Sequence, residues 1–240
     1  MRPMLAHAAF EIRLSLRQGE QMLVSLVIPV AMFLFLSRVR VGGVGGPGSV
    51  DELTPRILTL AVMSNAFTSL SIATGFERSQ LVLKRLGASP LGRVRLVGAK
   101  ATAVLFVEAV QVAVLLLTAM ALGWNATFSP WFLPALALGT YVFAALGLVF
   151  AGVLPALVNL AVTNAVYVLL VLFGGTVVPA SDLPEPLARL AALLPPDALG
   201  RLLEEAVGTQ VGGGSAAAWM VLGTWAVLAT TIAAGTFRWE

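Results

Sequence analysis

Cysteine is absent from the 240 residues, and histidine occurs once, at His7. The first absence excludes disulfides, thiolate metal sites and cysteine nucleophiles, and it leaves the redox compartment unreadable. The second leaves no histidine cluster to hold a metal ion. Charge is scarce as well: Asp, Glu, Lys and Arg make up 11% of the chain, against about 25% in an ordinary globular domain. There is no GxxxxGK[ST] phosphate loop. The nearest glycine cluster, GGVGGPGS at 42–49, lacks the lysine and the following helix that such a loop needs, and reads as a flexible outside loop. HExxH, a nucleophile elbow and paired carboxylates within an apolar segment are also missing. The sequence therefore offers neither catalytic machinery nor a cofactor site of its own. The N-terminal stretch MRPMLAHAAFEIRLSLRQGEQ has no uninterrupted apolar core and no small-residue cleavage site, so it is expected to be retained.

What the chain has in excess is apolar surface, with 58% of its residues in the hydrophobic set. A soluble fold of this size has too little interior to hide that much, which makes the bilayer the expected solvent. The formal charge of +3 and a pI near 10 do not argue for nucleic acid. The bases, 13 Arg and two Lys, flank hydrophobic segments instead of gathering on one soluble face.

Each crossing of about 30 Å of hydrocarbon needs about 20 apolar residues, and charges punctuate the chain at that spacing. Uncharged runs at 21–37 and 57–76 give spans one and two. Span three covers 101–122, interrupted only by Glu108. The following charge-free stretch, 109–181, is too long for one crossing and is divided by turn chemistry. GWNATFSP at 123–130 sits beside Trp124 and Trp131, which suit a membrane interface, and GVLPALVN at 152–159 carries Gly152 and Pro155. Spans four and five are then 132–152 and 156–178, and the last run gives span six at 216–236. The expected fold is all-α, a polytopic membrane protein with six transmembrane helices.

Orientation follows from the bases. The segment 77–100 holds Arg78, Lys84, Arg85, Arg93, Arg95 and Lys100 against one acid, the strongest positive-inside signal present. With that loop in the cytoplasm, both termini are cytoplasmic too, and residues 179–214, rich in acids, lie outside. Arg38 and Arg40 fit this arrangement less well, beyond contact with lipid headgroups. Residues 1–20 read as a helix lying on the membrane, with Leu5, Ala9, Ile12 and Leu16 at helical spacing and Arg13 and Arg17 one turn apart. The alternative for this segment is a polar tail.

In the loop after span two, Glu77 and Arg78 leave the membrane, then SQLVLKRL places Leu83 and Leu86 beside Lys84 and Arg85. Gly87 and Pro90 can stop that short helix. A helix both apolar and basic, pinned between two spans, suits docking into a groove of a partner. It is equally compatible with a solvated positive loop.

The layout now resembles a known family. The run GFERSQLVLKRLGASPLGRVRLVGAK at 75–100 and FGGTVVPASDLPEPLARLAALLPPDALGRLLEEAVG at 173–208 are similar to segments of type-2 ABC exporter permeases. These are the membrane subunits of daunorubicin-resistance-type drug exporters and of polysaccharide exporters. The resemblance covers essentially the whole chain. It implies that 77–100 is a coupling loop, with Glu77, Arg78, Leu83, Lys84, Arg85, Leu86 and Pro90 contacting an ABC ATP-binding subunit. It implies an external re-entrant helical hairpin at 179–214, two ATP-binding subunits per complex carrying ATP and Mg, and a second permease copy or a paralogue. It further implies a bacterial cytoplasmic membrane and a hydrophobic or amphipathic drug- or lipid-like substrate. The alternatives are a lipid-linked polysaccharide or, from another class, an ATP-independent secondary transporter.

Several polar residues lie within the spans. Glu108 is costly there, hence a functional suspect; it is expected either to pair with Lys100 or an N-terminal Arg, or to face substrate, with Gln111 on the same side. Ser64, Asn65, Thr68 and Ser71 of span two, and Asn159, Thr163, Asn164 and Tyr167 of span five, form small, hydrogen-bonding stripes. In the resembling family those spans border the second subunit. The stripes are open to three readings: a dimer contact, a transport path, or packing within one chain.

Overall fold

The computed structural model describes residues 19–41, 44–46, 48–80, 92–125, 128–176, 183–207 and 215–236. The interfacial helix expected at 1–20 falls almost wholly outside them, as do Leu83, Lys84, Arg85, Leu86 and Pro90 of the coupling loop.

The first helix, α1, is Gly19–Leu36. Two-residue strands follow, β1 at Arg40–Val41 and β2 at Val44–Gly45, paired antiparallel with Arg40 opposite Gly45. The described part of the glycine cluster, 44–46 and 48–49, is tied back to α1. Gly46 N–H donates to the Leu36 carbonyl at 2.8 Å, and Gly45, at φ +84°, would put a Cβ 2.4 Å from that same oxygen. Only glycine fits this close a return onto the end of α1.

Helix α2 is Val50–Ser79, α-helical to Val62, π-helical over Met63–Ser69, and α-helical again over Leu70–Ser79. It starts seven residues before the expected 57–76. Asp51 and Glu52 occupy its first turn, where carboxylates favour the helix dipole, and Arg56 meets Glu204 at 3.7 Å. A charge marks where hydrocarbon ends, not where a helix must end. Likewise α3, Gly92–Ala121, begins nine residues before the expected 101–122. The expected loop 77–100 therefore keeps only 80–91 between the two helices.

Helix α4 is Phe132–Val153 and α5 is Ala156–Phe173. The latter stops short of the expected 178, at Gly174 and Gly175, where Gly175 takes a left-handed φ of +72°. Two short helices, α6 at Glu185–Ala191 and α7 at Pro195–Ala206, precede α8 at Ser215–Thr236. Five helices are long and apolar enough to cross a membrane: α2, the Ala101–Ala121 part of α3, α4, α5 and α8. Helix α1 has 18 residues, about 27 Å at 1.5 Å per residue, with Pro29 inside it.

The core forms where α2 and α4 cross. Phe67, Met63, Leu58, Phe143 and Val142 are fully enclosed, joined by Leu115 of α3, Phe33 of α1 and Leu222 of α8. Helix α7 enters this core from the side. Leu199, Leu202 and Leu203 are buried against α2, α4 and α8, and a Cβ on Gly139 would meet Leu199 side-chain carbons at 2.6 Å. By contrast only 11% of the apolar window of α5 is buried, against 72% for α2. Helix α2 is thus the axis of the bundle, and α5 presents most of its surface outward. Trp124, Phe128 and Phe132 stack edge to face at 5.6 and 5.2 Å near one end, where amphipathic rings favour the interface.

Candidate functional site in the bundle interior

The π-helical segment of α2 carries one residue more per turn than an α-helix would, which turns its side chains relative to the flanking helix and opens a backbone ladder. Asn65 lies in it, 6% exposed, and its Nδ2 donates to the Val104 carbonyl of α3 at 3.2 Å. Helix α4 approaches the same segment at Gly147, where a Cβ would stand 2.9 Å from the Phe67 carbonyl. Three helices converge on this stretch because a glycine and an amide let them.

Glu108 sits in that convergence, 2% exposed. The Thr140 hydroxyl of α4 stands within hydrogen-bonding reach of its Oε1, and the Asn65 amide faces the same carboxyl. Its Oε2 has no hydrogen-bond partner among the described residues. The expected ion pair is not formed with any base whose side chain is described: the partners are a hydroxyl and an amide. Gln111, 2% exposed, is buried one turn on.

A second polar knot joins α2 to α5. Ser71, Asn159 and Thr163 are all fully buried. Ser71 Oγ donates to Asn159 Oδ1 at 3.1 Å and lies 3.1 Å from Thr163 Oγ1, while Asn159 Nδ2 donates to the Ser71 carbonyl at 2.9 Å. Thr163 Oγ1 also donates to Asn159 Oδ1, at 3.1 Å. Gly75 makes room for this, since a Cβ there would come within 2.6 Å of Asn159 Nδ2. These three side chains bind each other within one chain. The remaining stripe residues go elsewhere. Ser64, Thr68 and Tyr167 are half-buried, and Asn164 is exposed with its Nδ2 bonded to the Leu160 carbonyl of its own helix at 2.9 Å.

Where α2 ends, Arg78 reaches across to the turn between α4 and α5. Its Nη1 donates to the Gly152 carbonyl and its Nη2 to the Leu154 carbonyl, the latter at 2.5 Å. The last carbonyls of a helix lack acceptors' usual partners, and Pro155 brings no N–H to the turn. A guanidinium fork with its positive charge is suited to that site. Glu77 beside it is half-buried.

At the opposite end of α2, helix α7 holds a charged cluster. Asp197 pairs with Arg201 at 2.6 Å and Glu204 with Arg56 at 3.7 Å. Burial pushes both carboxyls above their ordinary range, more strongly than the neighbouring arginines pull them down. Thr140, Gly147 and the Arg56–Glu204 pair were not singled out by sequence. A lone threonine or glycine in a span has no distinctive spacing, and the ion pair joins positions far apart in the chain.

No acidic or histidine cluster able to hold a metal ion occurs among the described residues. A family model described as ABC-2 type transporter matches residues 4–199, from the N-terminal segment through the first turns of α7. No curated protein matches the chain. With most of its length matched to that model, and with five apolar helices fit to cross a membrane, the chain belongs to the ABC-2 type transporter family and is an ABC-type permease subunit.

Proposed function

We propose that the chain is the membrane half of an ATP-driven exporter in a bacterial cytoplasmic membrane, with six crossings, α1 included, and both termini in the cytoplasm. Two copies, or one copy and a paralogue, form the pathway, and two separate ATP-binding subunits dock at the loop between α2 and α3. The substrate is hydrophobic or amphipathic, drug- or lipid-like.

The observation that carries this reading, beside the family, is the Arg78 bridge. It ties the residue that opens the coupling loop to the carbonyls at 152 and 154, which end α4 and precede α5. A push delivered to the loop by an ATPase has, through that bridge, a rigid route to two further helices. A second observation supports the pairing of subunits. Helix α5 turns Leu157, Ala161, Asn164, Val168 and Leu172 outward, an apolar stripe at helical spacing with one amide in it. Small and amide side chains favour helix association in lipid.

The test is replacement of Leu83 and Leu86 by Asp, which puts charge where an apolar contact with the ATPase is expected. The double variant should insert and fold normally yet lose co-purification with the cognate ATPase and substrate-stimulated ATP hydrolysis. Unchanged co-purification and transport would overturn the coupling assignment.

A further inference from the structure

Glu108 is a carboxyl among three helices with no base beside it among the described side chains, and the hydrogens in its surroundings do not add up if it is ionised. The Thr140 hydroxyl has one hydrogen. It stands within hydrogen-bonding reach of two acceptors, Glu108 Oε1 and the Leu136 carbonyl at 2.7 Å. The carbonyl can only accept, and the bond from a helical threonine to the carbonyl four residues back is the usual one. Thr140 then has no hydrogen for the carboxyl. The contact becomes a hydrogen bond when the carboxyl brings its own, donating to Thr140 Oγ1 while Thr140 donates to Leu136.

The surroundings agree. The helices packed on this part of α3 are α1, α2 and α4. The described side chains of α1, residues 26–36, include no ionisable group. Helix α4 has Tyr141 alone, and its hydroxyl is engaged with Thr230 at 2.7 Å. On α2 the charged residues lie at the two ends, Asp51, Glu52 and Arg56 at one and Glu77 and Arg78 at the other, with Asn65 between. Arg93, Arg95 and Lys100 of α3 itself are eight or more residues away along the helix, at least about 12 Å. A carboxylate taken out of water needs a paired charge or several donors.

We propose that Asn65, Glu108 and Thr140 form a proton-binding site, with the proton carried on Glu108 in this conformation and holding α2, α3 and α4 together. Occupied, the site is a chain of neutral hydrogen bonds that suits hydrocarbon. Empty, it leaves a negative charge at the π-helical segment, and the three helices lose their common contact. The site depends on packing within one chain and not on the ATPase reading above.

Infrared spectroscopy of the purified, reconstituted permease at neutral pH, without ATPase, tests it. The parent should show a protonated-carboxyl C=O band that Glu108→Gln abolishes and Thr140→Val shifts. The Gln variant keeps a donor for Thr140, so its Tm should stay near that of the parent. Glu108→Ala, which removes the donor and leaves a hole, should lower Tm by about 5 °C. Identical spectra for parent and Glu108→Gln in the acid C=O region overturn the proposal. Should the Gln variant not assemble, Glu108→Asp keeps an acid in a displaced position and must move the band; an unmoved band is equally fatal.

Discussion

Asn159 shows what a single polar side chain does in this interior. It accepts from two hydroxyls and donates to the Ser71 backbone carbonyl. Such bonds inside a membrane bundle are each worth about 1 kcal/mol, and they are cooperative because they share atoms. Asn159→Ala removes three of them and should lower Tm by about 6–12 °C, at 2–4 °C per kcal/mol for a chain of this size. Ser71→Ala should do somewhat less, and the double variant should lose less than the sum of the two. Thermal unfolding in one detergent tests this, and strictly additive losses would show that the knot is not a unit. The small and polar stripes were legible in the sequence at these positions, but their partner was not. Helical periodicity defines a face, and nothing in the periodicity says whether that face meets another helix of the same chain, a second subunit or substrate.

At the scale of elements, α7 is the least membrane-like helix and yet one of the best anchored. Its apolar side, Leu199, Leu202 and Leu203, is enclosed by α2, α4 and α8, and its charged side carries Asp197 and Glu204 with their raised proton affinities. The sign of the pH dependence follows. A carboxyl whose folded value lies above its unfolded one binds more protons folded than unfolded, so stability falls as pH rises from the ordinary carboxylate range, about 4, through the raised values, and levels off above them. Melting temperatures measured across that window should decline in the parent and decline less in Asp197→Asn. An equal slope in both would remove Asp197 from the account. The π-helical turn of α2 belongs to this scale too, and no pattern in MSNAFTS announced it. One extra residue in a turn leaves an apolar segment apolar, and only neighbouring helices fix where the ladder opens.

At the scale of the whole molecule, the orientation remains a matter of charge. Ten of the 15 bases fall in the N-terminal segment, the loop 77–100 and the C-terminus, and positive loops stay in the cytoplasm. Because the chain has no cysteine, single cysteines report location cleanly. In intact cells an impermeant thiol reagent should label Ser181→Cys and spare Ser89→Cys, which should react once the membrane is permeabilised. The reverse pattern would invert the molecule and move the ATPase site to the other end.

Composition and spacing by themselves determined the class of this protein. The bilayer demands long apolar runs, and runs of that length have few other homes, so an all-helical, membrane-crossing fold was readable from them, while the family was readable only through the resemblance of 75–100 and 173–208. Helix ends were read less well. Charges in the sequence mark the hydrocarbon boundary, while α2 and α3 run on into polar surroundings because their backbone bonds are satisfied there equally. What tertiary structure alone decided is which polar group meets which: Glu108 with Thr140, Asn159 with Ser71, and Arg78 with the turn after α4. Those pairs lie 32 to 88 residues apart in the chain. Distant partners leave no local signal, because each needs only to be polar and of the right size once packing has brought them together.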